Sequence, residues 1–382
     1  MHTARSYLHA LVGGPAALPN LSEVSVLPFE SVCALGHEQV VYCHDAESGL
    51  RAIIAIHDSS LGPALGGCRL YDYATEADAL KDVLRLSRGM TYKAAVAGLD
   101  LGGGKSVIIG DRSIKSEALF RAFGRFIDSL GGRYITAEDM NTNVTDMDTI
   151  RRETRWVTGV NVQAGGSGDP SPVTAWGVFH GIKAALEVVY GTSEVGGRTV
   201  AIQGLGNVGY WLARYLREEG ANLVFTDIDR SRIDRAITEL GGSFVEGDQW
   251  YETQCDVLAP CAIGGIINSR TIPRVRAPII AGGANNVLED EIADSERLAE
   301  QNITYAPDYV INAGGLMSVY AELHQLPHQK AMDDARGIFD TVKNVLGKAQ
   351  AEGTSSIEAS NRIAQERIAA VRSTKRLWTG RV

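Results

Sequence analysis

Two lysines occupy settings unusual for lysine. Lys105 follows three consecutive glycines in LGGGKSV, and Lys93 lies 12 residues earlier in MTYK. Two ammonium groups brought to one site depress the pKa of one of them, which lets it take a proton near neutral pH. The other stays charged and binds a carboxylate. The glycines leave little side chain to shield Lys105 from a bound ligand. The stretch ITAEDMNTNVTDMD (135–148), with Asp139, and LGPALGGCRL (61–70) complete the candidate chemical segments. The plainer reading of each lysine is a solvated surface charge. GGGKS also looks like a phosphate-binding loop, but that motif needs glycine at position 99, where the chain has Leu99, and Gly98 is out of register.

A second constellation is Gly204-Leu205-Gly206-Asn207-Val208-Gly209, which follows the apolar run TVAIQ and opens a helical pattern. In a dinucleotide fingerprint Gly204 allows the tight turn, Gly206 lets backbone approach a pyrophosphate at the helix start, and Gly209 lets helix and strand pack closely. Asp227, 23 positions after Gly204 at the end of the next strand, is placed to accept hydrogen bonds from ribose hydroxyls. Its charge repels a 2′-phosphate, so NAD is expected over NADP. Arg230 and Arg232 lie near enough to soften that preference, though they also read as solvated residues starting a helix.

The elements that must hold these groups fall into two halves. EQVVYCHD and RAIIAIHD flank AESG as a strand, turn and strand. Thr75 caps a helix that closes near Gly89, a second helix spans about Ser116 to Leu130, and VIIG (107–110) and RYITA (133–137) read as buried strands. After the Gly, Ser and Pro-rich break GGSGDPSPV (165–173) comes a helix from Thr174 to Val189. Strands TVAIQ, NLVFTD, CDVLAP and APIIAGG then alternate with helices at 207–219 and 231–240, which implies a parallel, doubly wound sheet. From about Ala331 to Arg372 the pattern is nearly all helix.

Composition narrows the classes. A length of 382 residues suggests two domains with a site between them, and a net charge of -9 gives no field for nucleic acid or an anionic bilayer. No apolar run is long enough to span a membrane, and the first residues make a poor export signal. The five cysteines form no CxxC pair and have no histidine at zinc spacing, so no metal site and a reduced, cytoplasmic protein are expected. Cys261 reads as a buried loop cysteine rather than a nucleophile, and His37, His44 and His57 as residues on the surface of the early strands.

LGPALGG, RGMTYKAA, LGGGKSVIIGD, TAEDMNT, GDPSPVTAWGV, QGLGNVG, APCAIGG, GGANN and APDYVINAGG occur in order along nearly all of the chain from about Leu27. With these motifs the sequence resembles the glutamate/leucine/phenylalanine/valine dehydrogenase superfamily, on its leucine, valine and phenylalanine side. The resemblance implies an NAD-dependent L-amino-acid dehydrogenase that forms a 2-oxo acid and ammonia and works as a homo-oligomer, a dimer or larger. It implies that Lys93 binds the substrate carboxylate, Lys105 activates water, and Asp139 handles protons at the substrate nitrogen. Gly66 and Gly67 then lie against the substrate, Asn312 adds a hydrogen bond to it, and Thr174 and Asn285 sit near the nicotinamide carboxamide. The expected layout is an extension over 1–25, a mixed α/β substrate-binding and oligomerisation domain over 26–170, a Rossmann NAD-binding domain over 173–325, and helices over 331–382 that return to the first domain. Closure of the cleft between the domains excludes water at hydride transfer.

By the same resemblance, relatives that use glutamate carry lysine and serine where this chain has Leu65 and Val319. A buried side-chain carboxylate there would lose its solvation with nothing in return, so an apolar substrate is expected. Ala137 matches the branched aliphatic type and Leu316 the aromatic type. The reading favours a branched aliphatic substrate, with an aromatic one as the alternative. Cys68, where the family has threonine, reads as packing. A different class, a non-catalytic NAD-binding regulator, is also open and is separated by NADH formation over a panel of amino acids.

Overall fold

A computed structural model describes residues 28–374. The segment read as an N-terminal extension, 1–25, lies outside the described residues. The chain first builds α1 (Pro28–Leu35), then a five-stranded sheet from β1 (Gln39–Asp45), β2 (Leu50–Asp58), β3 (Ala64–Tyr71), β4 (Gly102–Ile109) and β5 (Tyr134–Glu138). Its order is β1-β2-β4-β3-β5. The pairs β1–β2 and β2–β4 are antiparallel, while β3 runs parallel to β4 and β5. Helix α2 (Glu76–Val96) covers one face, and α3 (Glu117–Ser129) with α4 (Val144–Arg151) covers the other.

Period-two alternation sorts each strand between the two layers. Ile53, Ala55 and Val107 pack with Ala79, Leu80, Val83 and Leu84 of α2. Ala52, Ile54, Ile56 and Ile108 pack with Leu119, Phe120, Phe123 and Ile127 of α3. Covered on both faces, β2 and β4 read as apolar runs rather than as alternating strands.

Periodicity ends α2 near Gly89, but the helix runs on to Val96. A mid-helix glycine costs only about 1 kcal/mol relative to alanine. Buried Thr91, Ala94, Ala95 and Val96 keep the next two turns against the sheet, and this extension carries Lys93.

Beyond α5 (Ser171–Tyr190) the second sheet forms from β6 (Thr199–Gln203), β7 (Asn222–Thr226), β8 (Ser243–Phe244), β9 (Val257–Pro260), β10 (Ile279–Ile280) and β11 (Thr304–Tyr305). Every pairing is parallel, in the order β11-β10-β9-β6-β7-β8. The chain leaves β6 to one side through β7 and β8, then returns to the other side through β9. A crevice therefore opens at the carboxyl ends of β6 and β9, where doubly wound sheets bind ligands. The remaining helices are α6 (Asn207–Glu218), α7 (Arg230–Leu240), α8 (Glu291–Glu300), α9 (Asp308–Ile311), α10 (Gly314–Leu323), α11 (His328–Arg336), α12 (Ile338–Glu352) and α13 (Ser356–Thr374). Of the C-terminal helices, α11 and α12 lie against α5, while α13 crosses to α2 and also touches α8.

His37 and His57 are not on the sheet surface. Each is only 8% exposed, their rings meet edge-on at 4.8 Å, and they face α2. His37 Nε2 lies 2.8 Å from Ser87 Oγ, and His57 Nδ1 lies 2.8 Å from Thr91 Oγ1. His44 is exposed, as a strand-surface position requires. Burial, with the neighbouring imidazole adding to it, pulls His37 down to about 3, and burial pulls His57 down to about 4.

These rings stay neutral in the fold but take up protons in the unfolded chain below its pKa of about 6.5. Their contribution is therefore complete above pH 6.5 and is lost as pH falls towards 4 and then 3. Moving from pH 7 to pH 5 should cost about 2 kcal/mol per ring. Urea denaturation at the two pH values checks this: His57→Gln should lose about half of the pair's pH sensitivity, and an unchanged difference would exclude the rings as its source.

Candidate active site

Alternation places the chemical groups on one face of the first sheet. Leu65, Gly67 and Arg69 of β3, Gly103, Lys105 and Val107 of β4, and Ile135, Ala137 and the following Asp139 of β5 share one parity. That face is turned toward α2. Gly103 is the contact point: a Cβ there would stand 2.0 Å from Thr91 Oγ1 and 2.1 Å from its backbone nitrogen. The neighbouring glycines are equally occupied, since a Cβ on Gly102 would meet the Asp58 carbonyl at 2.3 Å and one on Gly104 the Tyr134 ring at 2.7 Å. The three glycines thus do not open a path to Lys105. They let a helix and a tyrosine lie directly on the strand.

Lys105 is 5% exposed, and its Nζ lies 3.0 Å from Asp139 Oδ1. The turn that delivers Asp139 is tied to β3: Thr142 Oγ1 accepts from the Asp139 amide at 2.9 Å and donates to the Cys68 carbonyl at 2.8 Å. Asn141, in the left-handed region at φ 64°, donates to the Leu70 carbonyl at 2.9 Å. Asparagine is among the few side chains at ease there. The second Asp139 oxygen, Oδ2, accepts from Arg69 Nε at 2.9 Å. Burial alone would raise the Asp139 carboxyl, but Lys105 and then Arg69 outweigh it and hold the group below its ordinary value. Arg69 escapes a sequence reading built on motifs. Counting by twos from Leu65 would have found it.

Lys93 stands in the last turn of α2 and reaches across to the second half of the chain, where its Nζ donates to Asn312 Oδ1 at 2.6 Å. Asn312 in turn donates through Nδ2 to Asn285 Oδ1 at 2.8 Å. One side chain therefore touches both a sequence-predicted substrate lysine and a sequence-predicted cofactor residue. Lys93 is depressed to about 8, and burial is the largest cause. Asp308 opposes the shift, and the Lys105 charge adds a smaller push downward. Mutual repulsion, the cause expected from the sequence, is thus the lesser one.

Arg367 of α13 closes the end of α2. Its guanidinium donates to the carbonyls of Leu99 at 2.7 Å, Gly98 at 3.0 Å and Ala95 at 3.1 Å, and to Asp100 Oδ1 at 2.8 Å. Helix ends leave such carbonyls without partners. The C-terminal helix therefore holds the loop that joins the two lysines.

Leu65 and Leu316 are buried in one cluster, with Val319 packed against it, and buried Ala137 pairs with Gly67 across β3 and β5. Gly66 and Gly67 have a role that needs no ligand, because a Cβ on Gly66 would stand 1.7 Å from the Gly104 carbonyl oxygen and one on Gly67 2.5 Å from that of Glu138.

At the crevice of the second sheet, Gly204 turns at φ 90°, and a Cβ on Gly209 would lie 1.9 Å from the Gly204 oxygen. Gly206 is different: the nearest atom to a Cβ there is the Arg232 guanidinium, at 3.9 Å. Gly206 caps α6 with no side-chain hydrogen bond, so the first turn, Asn207 and Val208 included, presents uncapped backbone beside open space. That arrangement fits a dinucleotide pyrophosphate. Asp227 Oδ2 accepts from the Leu205 amide at 2.6 Å, which fixes the acid beside the turn. Thr174 lies in the first turn of α5, 2.9 Å from where a Cβ on Gly315 would be. Cys261 is a packing residue: its sulfur accepts from the Gly283 amide at 3.4 Å, and burial pushes the thiol up to about 12. Burial does the same to Cys68. Among the described residues no His, Cys, Asp and Glu cluster could hold a metal ion, and no helix is long and apolar enough to cross a membrane.

Comparison with known families matches residues 37–156 to the Glu/Leu/Phe/Val dehydrogenase dimerisation domain, and residues 165–231 and 228–376 to Glutamate/Leucine/Phenylalanine/Valine dehydrogenase. Leucine dehydrogenase of Thermoactinomyces intermedius is 53% identical over 340 residues, 89% of this chain and 93% of its own. Valine dehydrogenase of Streptomyces coelicolor is 47% identical over 342 residues, 88% and 93% of the two chains. The crystal structure of L-tryptophan dehydrogenase from Nostoc punctiforme superposes with a TM-score of 0.83 at 46% identity, covering 91% of this chain and 100% of that one.

Arg367→Ala frees the carbonyls at the end of α2 and should cost about 1 to 3 kcal/mol. Hydrogen exchange should quicken over residues 94–101 before the rest of the first sheet. Uniform exchange across that sheet in the variant would remove Arg367 from this role.

Proposed function

Because the chain belongs to the glutamate/leucine/phenylalanine/valine dehydrogenase family and is an amino-acid dehydrogenase, we propose that it catalyses the NAD-dependent oxidative deamination of a branched aliphatic L-amino acid to its 2-oxo acid and ammonia, and the reverse reductive amination. What supports this reading is the Lys105–Asp139 pair at 3.0 Å, whose lysine acts by its charge on Lys93, and the bonds from Lys93 to Asn312 and from Asn312 to Asn285 at the dinucleotide crevice. The preference for NAD is supported by Asp227, whose carboxylate beside the fingerprint turn opposes a 2′-phosphate.

In this reading Lys93 holds the substrate carboxylate, and Asn312, already bonded to Lys93, adds a hydrogen bond to the substrate. Gly204, Gly206, Asn207, Val208 and Gly209 cradle the pyrophosphate, while Thr174 and Asn285 face the nicotinamide carboxamide. The bound nicotinamide supplies a hydride acceptor for the substrate Cα. Asp139 offsets the charge that develops on the substrate iminium. Lys105, once it has given its ammonium proton to Asp139 3.0 Å away, takes a proton from the water that adds to Cα. Collapse of the carbinolamine gives the oxo acid and ammonia.

Leu65, Ala137, Leu316 and Val319 form the side-chain wall. A second carboxylate against them would lose several kcal/mol of solvation, on the order of 2 to 5, so glutamate is a poor substrate. An aromatic substrate is the second reading, favoured by Leu316 and by the likeness to the tryptophan dehydrogenase structure. The methyl of Ala137 narrows the wall and supports the aliphatic one. Assembly as a homo-oligomer and residence in the cytoplasm belong to the same proposal. Among the described residues the edge strand β1 is bonded to β2 alone, which supports the first, and the free cysteines support the second.

NADH formation followed at 340 nm over Leu, Val, Ile, Phe, Trp and Glu, with NAD and with NADP, tests the proposal. Branched aliphatic substrates should lead, and Lys105→Ala should lose at least about a hundredfold in kcat while still binding NAD. Leadership by Phe or Trp would select the aromatic reading, and near-normal turnover in the variant would remove Lys105 from the mechanism.

The Lys93 value of about 8 adds a pH dependence. The ammonium that binds a carboxylate is present below pH 8 and disappears above it. In the reductive direction, KM for the 2-oxo acid should be flat below about pH 7.5 and rise about tenfold per unit above 8.5. Lys93→Arg, which stays charged, should flatten the rise; the same steep rise in that variant would assign it elsewhere.

A further inference from the structure

The chain of charges that ends at Lys105 does not begin at Asp139. Tyr73 donates its hydroxyl to Asp82 Oδ2 at 2.6 Å, Asp82 Oδ2 accepts from Arg69 Nη1 at 2.9 Å, and Arg69 Nε donates to Asp139 Oδ2 at 2.9 Å. Asp139 then meets Lys105 through its other oxygen. Arg69 and Asp82 each keep only 16% of their side-chain surface exposed, and Asp139 keeps 25%. The guanidinium spends two different donors on two acids from different elements, α2 and the turn after β5. The planar fork of arginine fixes the angle between the two contacts, which the freely rotating donors of an ammonium do not.

Resting on the dehydrogenase reading above, we propose that Arg69 is a positioning residue for the reaction: it clamps Asp139 Oδ2 so that Oδ1 stays turned toward Lys105 and the substrate nitrogen. Arg69 touches neither substrate nor cofactor in this role. Its effects pass through the orientation of one carboxylate and through that carboxylate's ionisation. The charged and titratable groups facing Asp139 are Arg69 and the buried Cys68 thiol from β3, Lys105 from β4 and the Tyr134 phenol from β5. Of these only Arg69 and Lys105 favour the carboxylate. Without Arg69, burial is opposed by Lys105 alone, and the carboxyl must rise.

The test uses the full-length enzyme with its best amino-acid substrate. Arg69→Met keeps the length of the side chain and removes its charge and donors. Its kcat should fall about ten- to a hundredfold, with KM changed less than about threefold, and a new acid limb should enter the kcat profile at higher pH than any the wild type shows. Introduced into Asp139→Asn, the same change should cost almost nothing more, because the residue it acts through is gone. A purely architectural arginine would lower stability and the amount of active enzyme without creating a limb, and its loss would add to that of Asp139→Asn; either result overturns the proposal. If Arg69→Met does not fold, Arg69→Lys decides. It should keep the wild-type pH profile and lose part of kcat, whereas wild-type kcat would show that the clamp is not needed. No NADH from the wild-type enzyme with any amino acid would instead sink the dehydrogenase reading and leave the Arg69 question to that reading's successor.

Discussion

The arrangement depends on one close approach, that of α2 to β4 at Gly103. A side chain there would collide with the backbone of Thr91 itself, so the helix could not lie flat on the strand. The contact lays α2 over the strand that carries Lys105 two residues beyond Gly103, and Lys93 stands in the last turn of the same helix, near enough for the Lys105 charge to act on it. The same face of β4 carries Val107 into the α2 core, which anchors the strand on the far side of Lys105. Buried His37 and His57, bonded to Ser87 and Thr91, add two further contacts to the same helix.

Much of this was legible in the sequence, because it rests on local rules. The doubly wound sheet follows from strands alternating with helices, and its fingerprint from glycines whose three tasks the structure separates. Gly204 and Gly209 are closed in by backbone, and Gly206 is open. What resisted reading is what depends on distant partners. The triple glycine looked like access and is contact, since nothing in LGGGK says that Thr91 and Tyr134 will fill the space. Gly89 looked like a helix end, because the packing that carries α2 past it lies on the sheet. His37 and His57 sit in or beside strands, and their burial depends on which helix covers them. Arg69 is the instructive miss. The alternation that relates it to Leu65, and Asp139 to Ala137, is visible in the sequence once the two segments are read as neighbouring parallel strands.

Asn312 gives the two halves a common residue. Its carbonyl oxygen is committed to Lys93 and its amide to Asn285, with the Gly283 and Ala284 carbonyls 3.3 Å away. A shift of the second sheet relative to the first must therefore stretch or break the contact to Lys93. Cleft geometry and the placement of Lys93 are thus one variable. A helix cap achieves this cheaply: Asn312 ends α9, a four-residue helix whose direction is set by the strand before it.

Charge counting explains why the partly buried groups tolerate one another. Along the clamp two partly buried cations, Arg69 and Lys105, alternate with two acids, Asp82 and Asp139, and the half-exposed Arg85 meets Asp82 from outside at 3.2 Å, so each close pair is of opposite sign. Each acid in such a chain is already paired. Lys93 stands outside it. Its depressed pKa says that the surrounding protein does not fully support an ammonium there, even with Asp308 nearby, whose own carboxyl burial pushes upward. One negative charge is therefore wanting at Lys93 and none at Lys105, an asymmetry between two lysines only 12 positions apart in the sequence. A ligand with a single carboxylate satisfies it. In the proposed reading a ligand with two would bury the second against apolar Leu65 and Val319, so the charges around the two lysines and that apolar wall would select for the same kind of substrate.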